Sequence, residues 1–200
     1  MRVRTIHSTV ALWVFVSSWS FAVAQAALPS GAVSLINQDR FGSQVALCAE
    51  TGELPVQLGS RKIRGTAVWA GEGTNLRRLR AGPGACDPSW SPDGRRLAVT
   101  AAEGLWVFPA SSPDGALRVE SRLPLGSIEF NYRAFSSPRW SPDGMLLGLV
   151  VTNGGTSWVE VFEADSGRLF YTSPPEHYTF SWTAARDLKL GEVEIHLPRR

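Results

Sequence analysis

One phrase occurs twice in the chain and limits its fold more than anything else does. Residues 90–94 read Trp-Ser-Pro-Asp-Gly, and residues 140–144 read the same. A lead containing Pro precedes each copy, Asp87-Pro88-Ser89 and Ser137-Pro138-Arg139. An apolar run follows each, Leu97-Ala98-Val99 in one and Leu146 through Val151 in the other. Self-similarity at such a period marks one supersecondary unit stacked several times. Inside the phrase, Pro92 and Pro142 pre-set φ at the first corner of a turn. Asp93 and Asp143 can close that turn through their side chains, and Gly94 and Gly144 take the positive-φ position. Such chemistry joins two antiparallel strands through a short loop. Trp90 and Trp140 end the incoming strands and are expected to fill the space between neighbouring sheets. The two aspartates are expected as turn formers, not as ligands or catalysts.

Leu35, Trp90, Trp140 and Trp182 occupy the matching position in four units of about 40–55 residues. The units run approximately over 32–82, 87–124, 137–173 and 178–197. In the first, Gln38-Asp39-Arg40-Phe41-Gly42 stands where the Pro-Asp-Gly turn would be. The fourth has no room for an outer strand. Strands at regular spacing with turn signals between them predict an all-β chain.

With its lead and the apolar Leu105–Phe108 segment, the phrase resembles the TolB-type, WD-like β-propeller repeat. That pattern is roughly P-x-W-S-P-D-G-[KR]-x-[IL]-A-[FV]. Residues 87–108 match it closely, and 137–165 match with Met145 in place of the usual basic residue. The resemblance implies a small or partial propeller of about four four-stranded antiparallel blades, the last incomplete. It also implies a periplasmic setting and protein partners. The family's helical N-terminal domain has no counterpart here. Three closures compete: a small ring in which 27–33 supplies the missing strand, a homodimer that completes the propeller, and an open arc.

Residues 1–26 differ in kind. Arg2 and Arg4 lead into an apolar stretch from Val10 through Val16, and Ala24-Gln25-Ala26 has the small-x-small pattern of a signal-peptidase site. This is expected to be a secretory signal. The apolar run is short and broken by serines, so no stable membrane span is expected after cleavage. The chain has 20 basic and 18 acidic residues, and two arginines and no acids lie in the leader. The remainder, 27–200, is therefore neutral, and with the exported setting this argues against a nucleic-acid partner. Cys48 and Cys86 both lie beyond the leader. An even count in an exported chain suggests a bridge, with two buried thiols as the alternative.

The sequence gives little support to catalysis. The only histidines beyond the leader are His177 and His196, and no Gly-x-Ser-x-Gly elbow is present. The acidic residues are dispersed, so no metal site is expected, and nothing calls for a cofactor. The Pro-Asp-Gly turns should share one face of the stack. The 51–65 insertion, the connections 126–137 and 173–178, and the turn 152–157 should share the other. Aromatic residues and Arg are enriched in interface hot spots. Phe130, Tyr132, Arg133, His177 and Tyr178 are therefore the candidates to receive a protein or peptide partner of the cell envelope. A non-catalytic scaffold is the favoured function. The alternatives are a glycan-binding module, a propeller-type hydrolase or lyase, and a truncated copy of a larger propeller protein.

Overall fold

The computed structural model describes residues 33–51, 56–58, 61–63, 65–73, 75–102, 104–112, 114–119, 133–153 and 155–198. Among them are seventeen strands and no helix. In chain order, β1 (Val33–Gln38) and β2 (Gln44–Glu50) are followed by a small separate hairpin, β3 (Val56–Leu58) and β4 (Arg61–Ile63). Then come β5 (Thr66–Glu72) and β6 (Asn75–Arg78), which complete a first sheet of order β1-β2-β5-β6. β7 (Cys86–Trp90), β8 (Arg96–Ala101), β9 (Gly104–Pro109) and β10 (Leu117–Val119) form the second sheet. β11 (Arg133–Trp140), β12 (Leu146–Asn153), β13 (Thr156–Glu163) and β14 (Leu169–Thr172) form the third. β15 (Ser181–Trp182), β16 (Asp187–Leu190) and β17 (Val193–His196) form a three-stranded fourth. Every pairing within these sheets is antiparallel.

The apolar runs after each turn explain the stacking. Successive strand residues point to opposite faces, so a continuous apolar strand must be covered on both sides. All residues of β8 from Leu97 to Ala101 are buried. Leu97 and Val99 pack toward the first sheet with Ala46, Cys48, Val68 and Trp90, while Ala98 packs toward the third with Trp140, Leu147 and Leu149. β12 divides likewise: Leu147, Leu149 and Val151 face back, and Leu146 and Val150 face the fourth sheet with Phe180, Leu188 and Leu190. Burial of each such side chain contributes roughly 1.5–3 kcal/mol. Trp90 and Trp140, 9% and 7% exposed, sit between sheets as expected.

The Pro-containing leads are β-bulges. Register slips between Cys86 and Ser89 in β7, and between Ser136 and Arg139 in β11. At each slip a residue other than Gly holds a positive φ, Asp87 at 48° and Ser137 at 54°, and a buried Pro follows. The extra residue bends the strand, and Pro fits because the bulge leaves an amide position unpaired. β11 is longer than the sequence led one to expect. It begins at Arg133, so the second half of the expected 126–137 connection is strand.

Candidate functional site

The corner turns form one face of the stack, and their hydrogen bonds show a role for Ser that the phrase alone conceals. The Ser91 hydroxyl donates to Asp93 Oδ1 (2.6 Å) and accepts from the Arg96 amide (2.9 Å). Asp93 Oδ1 also accepts from the Arg95 amide (3.1 Å), and the Gly94 amide donates to the Ser91 carbonyl (2.9 Å). Ser141, Asp143, Gly144 and the amides of Met145 and Leu146 repeat every bond. Gly94 and Gly144 have φ of 69° and 72°, as the turn requires. Burial opposes ionisation of Asp93. The Ser91 and Arg95 hydrogen bonds and the charges of Arg96 and Arg95 outweigh it and hold the carboxyl below its ordinary range.

The degenerate first corner keeps this geometry with the parts exchanged. Asp39 takes the place of Ser91: its amide donates to the Gln44 carbonyl, and its Oδ1 accepts from the Gln44 amide (3.0 Å). Ser43 then donates to Asp39 Oδ2 (3.1 Å). Residue for residue, Gln44, Arg96 and Leu146 are equivalent, so Gln38, and not the expected Leu35, stands at the position of Trp90 and Trp140. The fourth corner, Thr183 to Asp187, is one residue shorter.

Polar clamps join the sheets at this face. The Trp140 indole donates to the Ser89 carbonyl (2.8 Å), and the Trp182 indole donates to the Arg139 carbonyl (3.0 Å). Each tryptophan thus reaches the residue preceding the tryptophan of the sheet before. Arg96 reinforces the second junction. Its guanidinium lies 5.0 Å from the Trp140 ring centre, donates to the Gly144 carbonyl (2.7 Å) and pairs with Asp165. Beside the fourth corner, His196 Nδ1 and Asp187 Oδ1 are 2.5 Å apart. They line an open cleft with Asp143, Met145 and Arg186. No group of three or more His, Cys, Asp or Glu among the described residues could hold a metal.

The opposite face carries the loops. Cys48, late in β2, and Cys86, at the start of β7, are disulfide-bonded with Cα atoms 5.2 Å apart. Arg133 pairs with Asn153, which pairs with Thr156 across the β12–β13 turn. The 173–180 connection docks beside that turn. The Ser173 hydroxyl accepts from the Val159 amide (2.9 Å), and the Glu176 and His177 amides both donate to the Ser157 carbonyl (2.7 and 3.2 Å). Glu176 holds φ at 80°. His177 is half-buried, and Tyr178 is 62% exposed. The register therefore gathers the start of β11, His177 and Tyr178 at one edge. Phe130 and Tyr132 lie outside the described residues, as does the 1–26 leader. For Arg133 only the backbone position is described.

No protein-family model matches the chain, and no curated protein matches it in sequence. Solved structures do. The propeller domain of the Trilobed protease from Pyrococcus furiosus, described as having an open velcro topology, superposes with a TM-score of 0.53 at 15% identity. The match covers 79% of this chain and 47% of that one. The fold is that of a β-propeller. The Pyrococcus horikoshii acylaminoacyl peptidase matches at 0.56 and 13% identity, over 79% of this chain and 27% of its own. The periplasmic gluconolactonase of Pseudomonas aeruginosa matches at 0.52 and 14% identity, over 79% and 46%. This chain spans between 27% and 47% of the length of these propeller proteins. At such identities the likeness shows the fold alone, and the four sheets are blades of a small, partial propeller.

Proposed function

We propose that the chain is an exported, non-catalytic propeller scaffold that holds a protein or peptide partner of the cell envelope on its loop face. The observation that carries this reading is how Tyr178 is presented. The 173–180 connection contains no regular strand before Ser181, yet hydrogen bonds to Ser157 and Val159 pin it. Pro174 and Pro175 stiffen it, and Glu176 holds a backbone conformation that L-residues rarely adopt. Strain of this kind persists where the surroundings over-determine it, and it clusters at binding sites. A rigid exposed aromatic loses little entropy on binding, which is the property of a hot-spot anchor. The leader-like 1–26 segment supports export.

The test is recovery of envelope proteins on the immobilised mature chain, with and without Tyr178→Ala and His177→Ala. Recovery should fall severalfold while the far-UV spectrum stays the same. Equal recovery by the variants would remove the loop face as the site.

A further inference from the structure

The junction between the first and second blades lacks both polar clamps seen at the junction between the second and third. The Trp90 indole N–H is buried and has no acceptor, whereas those of Trp140 and Trp182 are satisfied. The counterpart of Arg96 is Gln44, which is shorter and uncharged. The counterpart of Asp165 is Ser111: Ala110 and Ala164 make the same amide bond, to Arg95 and Met145, and Ser111 and Asp165 follow them. The apolar layer beneath is smaller too. Across the strand pairs, Ala70 stands opposite Ala46 where Val107 stands opposite Ala98, and Val68 stands opposite Cys48 where Leu105 stands opposite Thr100. What remains is a cleft of about 270 Å³ lined by Gln44, Glu72, Arg77, Trp90, Phe108 and Ser111 among others.

We propose that this cleft receives the guanidinium of an arginine side chain from a peptide or protein ligand. The next junction supplies the template within the same chain. There an arginine lies against the equivalent tryptophan, donates to the equivalent corner and pairs with a carboxylate. In the first junction the tryptophan is present, and Glu72 supplies the carboxylate. A planar guanidinium can stack on an indole and form a forked pair with a carboxylate, which an ammonium cannot do. Arg77 is the opposing charge in the cleft, and it fixes the sign of a test. The site lies on the corner face, so it stands or falls independently of Tyr178.

The experiment follows the Trp90 indole N–H resonance in the full ¹⁵N-labelled chain during titration with Nα-acetylarginine amide and, separately, Nα-acetyllysine amide. The arginine probe should shift that resonance saturably, and the lysine probe should bind about tenfold more weakly. Gln44→Arg should fill the cleft from within, abolish the shift and raise the melting temperature. Arg77→Ala should tighten binding by removing like charge. Three results would overturn the proposal: no saturable shift, undiminished binding by a folded Gln44→Arg chain, or weaker binding by Arg77→Ala.

Discussion

The same junction makes the disulfide the most informative bond to cut. Blades two and three are joined by a tryptophan hydrogen bond and an arginine clamp; blades three and four are joined by Trp182 and by Phe180 seated on Gly148. Blades one and two have neither clamp and are instead linked covalently, Cys48 to Cys86. The bond closes a loop with a sequence separation of 38. Chain-entropy arithmetic for such a loop gives a stabilisation of about 4 kcal/mol, acting through the unfolded state. For a domain of this size that is roughly 8–16 °C in melting temperature. Cys48→Ala with Cys86→Ala is a fair perturbation, because Cys48 is fully buried and Ala leaves only a small void. Urea unfolding of this double variant, and of the wild type with and without a phosphine reductant, measures the loss. In a stack coupled through nearest neighbours, the loss should also be localised. Amides of β1, β2, β5 and β6 should exchange before those of β12 and β13. A loss below about 1 kcal/mol, or simultaneous exposure of the first and third blades, would refute the idea that the bridge replaces a missing clamp.

Ser141→Ala removes a fully buried hydroxyl and leaves the Leu146 amide without its acceptor, so thermal unfolding should show a loss of about 1–3 kcal/mol. A Cβ at position 148 would lie 2.6 Å from Phe180 Cε2, so Gly148→Ala should destabilise the third junction by about 1–3 kcal/mol, read from the urea midpoint. The carboxyl of Asp93 is held below its ordinary range in the folded chain, so the unfolded chain binds the proton more readily. Its stabilisation is complete above the unfolded-state pKa and disappears as pH falls through the folded one. Asp93→Asn should therefore flatten the acid limb of a stability–pH curve and leave its neutral plateau nearly parallel. Light scattering should give the mass of a monomer.

The repeated phrase made the four sheets legible because turn chemistry is local: Pro, Asp and Gly act within five residues of one another. What stayed hidden depends on neighbours. Ser91 and Ser141 look like spacers until their hydroxyls are seen receiving the amides of Arg96 and Leu146. Arg96 reads as an ordinary strand residue, since its partners Gly144 and Asp165 belong to another blade. The bulges at Asp87 and Ser137 are signalled only by the Pro that follows. The β3–β4 hairpin lay unread inside the 51–65 insertion, because two three-residue strands carry too short a pattern to recognise. His177 and Tyr178 lie in the connection that docks beside the β12–β13 turn, on the loop face where topology puts them. The pinning of their connection by Ser157 and Ser173 had no sequence signal.

The two ends of the stack differ in a way that bears on closure. In β16, Leu188 and Leu190 are buried against the third blade, while Asp187 and Lys189 alternate with them onto the far face. Opposite them in β17 stand His196 and Glu194, so that face carries a row of charged and polar groups. Lys189 and Glu192 extend it. This is the composition of a capping repeat, and covering it with another blade would desolvate ions at several kcal/mol each. The far face of the first blade has the opposite character, with Leu47, Ala49, Ala67 and Trp69 clustered and Leu76 packed against them. The four clustered residues are already withdrawn from solvent within one chain, at 7% exposure or less, so a second copy would gain nothing by covering them. A polar face at one end and an apolar layer already covered at the other both weigh against a homodimer built through these two surfaces.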